Sequence, residues 1–129
     1  MIKQKKTKTR ANFTDVRGEI RDLVVGEKID TVTLITSKKG AIRANHYHKK
    51  TSQFDYIISG LIECRTKLMP KGRVVKHILK AGDLLYHPAN EAHALLALED
   101  SVFLSITCGP RRGGKYESDT YRLEKPLIV

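Results

Sequence analysis

The sequence predicts an all-β single domain, a sandwich or barrel of short strands, and three observations predict it. A chain of 129 residues, 40% hydrophobic and 29% charged, supplies one core and not two. Runs of β-branched or alternating residues recur at close intervals, separated by glycine, proline and lysine-glycine turns. No stretch carries the helical period over enough length to serve as a crossover helix, which a parallel sheet would need.

The elements follow in order. Ile29 to Thr36 (IDTVTLIT) is rich in β-branched residues, and Lys38-Lys39-Gly40 turns the chain into a second strand, Ala41 to His48. Gln53 to Ser59, Leu61 to Leu68 and Arg73 to Leu79 come next, with turns at Gly60 and at Pro70-Lys71-Gly72. Ala81-Gly82-Asp83 turns into Leu84 to His87, and His93 to Leu98 and Val102 to Thr107 complete the set. In the final strand Val102, Leu104 and Ile106 alternate with Phe103, Ser105 and Thr107, the period of a half-buried strand. Residues 109 to 116 (GPRRGGKY) break the pattern, and Leu127 to Val129 read as an edge strand at the end.

Composition narrows the function classes. The 24 Lys and Arg outnumber the 14 Asp and Glu to give a net charge of +10, which raises the possibility of a nucleic-acid partner. Half of that excess lies in Lys3, Lys5, Lys6, Lys8 and Arg10, within a basic tail of residues 1–11, read as a solvated arm or an edge strand ahead of a domain at 12–129. No helix-turn-helix, zinc-finger spacing or aromatic-basic signature accompanies it, so an anionic small molecule is the expected partner rather than nucleic acid. Apolar runs are too short to span a membrane, and Met1 to Lys6 lacks the apolar stretch of a signal peptide. Two cysteines, Cys64 and Cys108, fit reduced thiols in a cytoplasmic protein.

The chemistry-bearing residues are the histidines. His46 and His48 stand two apart, so on a strand both imidazoles leave from one face. A hairpin across Lys49 to Ser52 brings Gln53 back beside them, and His93 opens a much later strand. Three imidazoles and an amide oxygen can form a partial cage with positions left for water or substrate, a site for a divalent metal such as Fe, Mn, Ni or Zn. By parity Asp55 lies on the face of Gln53 and Ile57, where it can orient a histidine or act as an acid; an outward turn or a simple ion pair is the alternative. Tyr47 faces away from the histidines, His77 reads as a surface or packing residue, and His87 stands at a strand end near the mouth.

Gly40, five residues, His46, one residue, His48, four residues, Gln53, six residues, Gly60 resembles the first motif of the cupin family, with Gln where Glu is usual. Gly82, five residues, Pro88, four residues, His93 resembles the second, 21 residues further on. The resemblance covers residues 29–107 and implies a jelly-roll barrel enclosing a ligand cavity. Asn90 stands for a motif glycine, tolerable because Asn adopts positive φ, and Ala97 replaces a closing Asn. Gln53 for Glu removes the only anionic ligand, which lowers metal affinity and favours an anionic guest.

Arg43-Ala44-Asn45-His46-Tyr47-His48-Lys49 with Gln53, and Tyr116 to Arg122, resemble a subset of cupins, the nucleotide-sugar ketoisomerases. The tryptophan of that pattern before the second-motif histidine is Ala92 here. This resemblance implies metal-free proton shuttling through an enediolate, with His46 or His48 as base, Asp55 assisting, and Arg43 and Lys49 on the substrate. Three functions stay open at this stage. One is an isomerase or epimerase of an anionic, nucleotide-linked sugar. Another is a metal-dependent non-haem oxygenase using His46, His48 and His93 with or without Gln53, and the third is a non-catalytic binding or sensor module. The family resemblance also implies a homodimer.

Overall fold

The computed structural model describes residues 3–110 and 118–129, and among them there is no helix. Twelve strands form two five-stranded antiparallel sheets and one small hairpin. The first sheet runs β1 (Lys6–Lys8), β9 (Asp83–His87), β6 (Ser52–Ser59), β11 (Ser101–Cys108), β4 (Thr31–Ser37). The second runs β12 (Tyr121–Arg122), β5 (Ile42–Tyr47), β10 (Glu91–Ala97), β7 (Leu61–Leu68), β8 (Val75–Lys80). The hairpin is β2 (Phe13–Asp15) with β3 (Gly18–Ile20). Consecutive strands mostly change sheet, and the two sheets share one interior, so the all-β expectation is met.

The eight strands expected from residue 29 onward all form, with no end moved by more than two residues. The turns behave as their residues require. Gly60 adopts φ of +97°, and a Cβ there would stand 2.2 Å from Ser101 Oγ, so only glycine fits between β6 and β7. Asn90 stands at φ of +68°, as its substitution for glycine anticipates.

The two ends of the chain settle as follows. Of the two readings of the basic segment, the edge strand is the one that forms: Lys6–Lys8 pairs with β9 and closes that edge of the first sheet. Leu127 to Val129 do not form a strand. The edge of the second sheet is β12, and the chain end is held instead by Asn45, whose Oδ1 accepts from Leu127 N at 2.9 Å and whose Nδ2 donates to Ile128 O at 3.0 Å. Part of the 109–116 break and the start of the Tyr116 to Arg122 stretch lie outside the described residues.

The alternation in β11 leaves open which set faces inward, and the structure decides it. Phe103, Ser105 and Thr107 face the interior between the sheets and are buried, whereas Val102, Leu104 and Ile106 leave from the opposite face, where Ile106 is buried in a second cluster with Phe54 and Leu84. The interior is apolar at one end, where Ile57, Ile62, Cys64, Leu79, Leu85, Leu95 and Phe103 form a single cluster. Burying each such aliphatic or aromatic side chain contributes about 1.5–3 kcal/mol. Cys64 is buried and Cys108 half-buried, both as free thiols. Towards the other end the same inward positions carry Gln53, Asp55, His87 and His93, and the site begins there.

Candidate functional site

His46 and His93 face each other across β5 and β10, directly paired in register. Their ring centroids lie 4.8 Å apart, His48 lies 4.8 Å from His46 and 5.6 Å from His93, and the three offer ligand nitrogens within 4.8 Å of one another. A regular strand would put Arg43 and His46, three residues apart, on opposite faces. The structure carries an irregularity here: β10 shifts register between His93 and Ala94, while Ala44 and Asn45 take φ of +71° and +57°. The extra residue returns Arg43 to the inner face opposite Leu95. Positive φ at an alanine costs free energy, and here it sets the spacing of a cation and an imidazole on one wall.

These groups line a cavity of about 200 Å³. Arg43, His46, His48, Gln53 and His93 supply its polar wall; Ile35, Ala44, Leu95 and Phe103 its apolar one, with Ser105 and Thr120 completing it. Arg43 is anchored by Nε to Ser37 Oγ at 2.7 Å and by Nη2 to the Thr36 carbonyl at 2.8 Å. Lys49, expected at the substrate, is placed elsewhere. The alternation that points His48 inward points Lys49 outward, where its Nζ lies 4.2 Å from the centre of the Tyr121 ring.

Backbone carbonyls set the histidine tautomers. His48 Nδ1 donates to the Asp119 carbonyl at 2.7 Å, which leaves Nε2 as the lone-pair nitrogen. His93 Nδ1 bonds the Glu91 carbonyl at 3.3 Å, and its Nε2 is buried with no hydrogen-bond partner, as is His46 Nδ1. Burial, with His48 and Arg122 adding to it, pushes the His46 pKa down to about 4. Burial and the other imidazoles hold His93 well below the ordinary 6.5 as well. Both are therefore neutral near pH 7.

Asp119 is a contributor that sequence reading passes over. Its Oδ1 accepts from Lys49 N at 3.1 Å, and its Oδ2 accepts from Lys50 N at 2.8 Å and Thr51 N at 2.9 Å. The carboxylate thus caps the β5–β6 loop while the carbonyl of the same residue holds His48. Burial works against the charge, but those donors win and the carboxyl stays below its ordinary value.

Asp55 points inward but stands behind the cavity wall. It accepts from Gln53 Nε2 at 2.8 Å and lies 2.9 Å from His87 Nε2, and all three residues are buried. His87 is not at the mouth: it lies beneath His93, ring on ring at 4.5 Å, with Glu91 3.4 Å from its Nδ1. Burial opposes a charge on His87, yet hydrogen bonds to Asp55 and Glu91 raise its pKa. Glu91 in turn pairs with Lys5, just ahead of β1. The signal available in sequence was the inward parity of Asp55; the pairing of Gln53 with His87 across β6 and β9 was not visible there. His77 is half-buried against Thr66 and stays outside the site.

The donor set fits one divalent ion. Three imidazoles converge, and two of their nitrogens are buried without a partner, a condition costing about 1–3 kcal/mol each unless a ligand or ion meets them. Gln53 directs its amide nitrogen at Asp55, so its Oε1 is the atom left for an ion.

Among curated proteins, oxalate decarboxylase of Bacillus subtilis (strain 168) is 35% identical over 104 residues, covering 81% of this chain but 26% of its own length. The pectin degradation protein KdgF of Dickeya dadantii (strain 3937) is 35% identical over 74 residues, 57% of this chain and 62% of that protein. The chain thus spans only part of the length of the curated relatives it matches. Similar solved structures include dTDP-4-dehydrorhamnose 3,5-epimerase from Sulfolobus tokodaii, with a TM-score of 0.73 at 20% identity over 95% of this chain and 80% of that one. ChmJ, a 3'-monoepimerase from Streptomyces bikiniensis solved in complex with dTDP, gives 0.77 at 15% identity over 92% of this chain and 67% of its own. These likenesses reach the fold; membership rests on a family model. The cupin model matches residues 23–109, a span that holds both histidine motifs, and this chain belongs to the cupin family.

Proposed function

We propose that the chain is an isomerase or epimerase of an anionic, nucleotide-linked sugar, working by imidazole acid–base chemistry. The observation that carries the reading is the trio of inward imidazoles, two of them held neutral, on a wall shared with the Arg43 guanidinium. The cavity of about 200 Å³ is smaller than sites enclosing a whole drug-sized ligand, about 300–1,000 Å³. It takes a single sugar ring and leaves the nucleotide at the mouth, where Arg43 is exposed. The epimerase neighbours support this reading through fold alone.

Moving or inverting a centre beside a ketone requires removal of an α-proton and its return at the new position. His46, neutral and with Nδ1 unpartnered, takes the proton from carbon. Arg43 Nη1, not used by Ser37 or Thr36, faces the negative charge that develops on the ketone oxygen. His48, with its tautomer set by the Asp119 carbonyl, exchanges a proton through Nε2. Asp55 does not reach the substrate; it holds Gln53 and His87. The second reading, a metal-dependent cupin, is favoured by the geometry of the three histidines and by the likeness to oxalate decarboxylase. In it His46, His48 and His93, with Gln53 Oε1, hold a divalent ion that supplies Lewis-acid or redox chemistry to a bound substrate.

The test is incubation of the protein with a dTDP-linked 4-keto-6-deoxyhexose in deuterium oxide, followed by proton NMR. Deuterium entering beside the ketone, and falling at least about 100-fold in His46→Ala, is the expected outcome. No exchange together with one metal ion per chain by plasma mass spectrometry, lost in His48→Ala, transfers the assignment to the metal reading. Neither exchange nor metal leaves a binding module.

A further inference from the structure

Asp55 and His87 are buried in the interior without lining the histidine cavity. Strand pairing puts them there. Gln53 on β6 stands directly opposite His87 on β9, and Asp55, the next inward position of β6, leaves from the same face. Leu85, opposite Asp55, belongs with Ile57 to the apolar cluster at the far end of the interior. Apolar side chains at 55 and 87 would simply extend that cluster, and replacing a buried polar network by packed apolar groups is often neutral or stabilising. Filling the core therefore does not account for this pair.

Their contacts do. Both oxygens of Asp55 are occupied: Oδ1 accepts from Gln53 Nε2 at 2.8 Å, and Oδ2 accepts from His87 Nε2 at 2.9 Å. A primary amide carries an oxygen and a nitrogen of similar size, and only its neighbours decide which way round it lies. A carboxylate anchored by an imidazole N–H takes the nitrogen and repels the oxygen, so Gln53 turns Oε1 to the cavity that it lines. The His87 ring meanwhile stacks on His93, with centroids 4.5 Å and planes 29° apart. Glu91 ties the two rings together, its carbonyl 3.3 Å from His93 Nδ1 and its carboxylate 3.4 Å from His87 Nδ1. His93 is thus seated from below and from one side, with Nε2 left unpartnered.

We propose that Asp55 and His87 are positioning residues: the pair fixes the Gln53 amide with its oxygen towards the cavity and seats the His93 ring. The site then offers an acceptor where a reversed amide would offer a donor. The ligand group that meets Gln53 is a donor, a hydroxyl of the sugar, while the ketone oxygen goes to Arg43. The effect on turnover rests on the isomerase reading; the orientation of Gln53 does not.

Asp55→Asn tests the pair. An asparagine of the same shape keeps an oxygen for His87 and turns its NH2 towards Gln53, which reverses the Gln53 amide and puts its nitrogen in the cavity. In side-chain amide NMR of the wild-type chain, the Gln53 protons exchange with water at least about tenfold more slowly than those of exposed Gln4. Asp55→Asn abolishes that protection without changing the melting temperature. In the same variant, deuterium incorporation into the dTDP-linked 4-keto-6-deoxyhexose falls at least about tenfold. The wild-type exchange measurement needs no variant, and His87→Phe, which keeps a ring on His93 but removes the donor to Asp55, serves if Asp55→Asn melts early. Gln53 protons that exchange as fast as those of Gln4 in wild type overturn the proposal. So does protection kept in Asp55→Asn, or protection lost with the deuterium rate unchanged. A wild type that incorporates no deuterium overturns the isomerase reading instead, and amide exchange then decides the orientation of Gln53 by itself.

Discussion

Gln53 donates its amide to Asp55 at 2.8 Å, and this contact explains how the barrel tolerates the loss of the usual glutamate. The negative charge has moved one inward position along β6, behind the wall, where it holds His87 instead of facing the cavity. Restoring a carboxylate by Gln53→Glu would set two buried acids at hydrogen-bond distance, and one of them must then keep a proton. The variant is expected to be close to wild type in urea stability at pH 5 and markedly less stable at pH 8; equal loss at both pH values would remove the like-charge explanation. Asp119 offers a second test at this scale. Asp119→Ala removes a carboxylate that receives three backbone N–H groups, at an expected cost of about 2–4 kcal/mol, and frees the carbonyl that sets His48. The folded pKa lies below the ordinary 3.8, so the unfolded chain binds the proton more readily. The contribution is complete above that value and fades as pH falls through the folded one. Wild type and variant should therefore differ in urea midpoint at pH 7 and converge towards pH 3.

Among the elements, β1 and β5 are settled least by their own residues. Lys5 to Lys8 read equally as a solvated arm or an edge strand, and the edge strand forms: Lys6–Lys8 pair with Leu85, Leu84 and Asp83, and Lys5 reaches Glu91. Thr9 is buried and bonds Gly82 through both its backbone nitrogen and its hydroxyl. Deleting residues 1–10 opens the β9 edge and leaves Glu91 with His87 alone, so a drop of about 5–10 °C in melting temperature is expected. A free arm would leave the melting curve unchanged. In β5, period-two counting places Arg43 outside, and the irregularity opposite Ala94 returns it to the cavity. A local backbone distortion of this kind leaves little trace in residue types, because Ala44 is a poor advertisement for positive φ.

For the whole molecule, the β4 end of the outer face of the first sheet is the feature that needs an occupant, because Phe54, Leu84 and Ile106 further across it are already buried, with Val24 packed against them. Val32, Ile106, Phe54 and Tyr86 form one cross-strand row, and Leu34, Leu104, Tyr56 and Leu84 the next, without a charge in either. Val32 is 57% exposed and Leu34 63% exposed. We read this face as the surface for a second copy of the chain, the homodimer that the family resemblance implies; a row of uncharged side chains meets its own copy without desolvating an ion. Sedimentation should give a dimer of the 14.6 kDa chain, converted to monomer by Leu34→Glu. A wild-type monomer would remove that assignment. No helix among the described residues is long and apolar enough to cross a membrane.

The primary sequence by itself determined the all-β class, eight of the strands, the glycine-dependent turns and the approach of His46, His48, Gln53 and His93, because these depend on local periodicity and on spacing around short hairpins. Tertiary structure alone decided which alternating set of β11 faces the interior, since Val102, Leu104 and Ile106 look like a core and serve the outer face. It also decided the pairing of β1, the burial of His87 behind Asp55, the outward turn of Lys49 and the capping by Asp119, which lies 71 residues from the histidine it steadies. Each of these depends on which distant strands become neighbours, a choice made by the whole core at once and recorded at no single position in the chain.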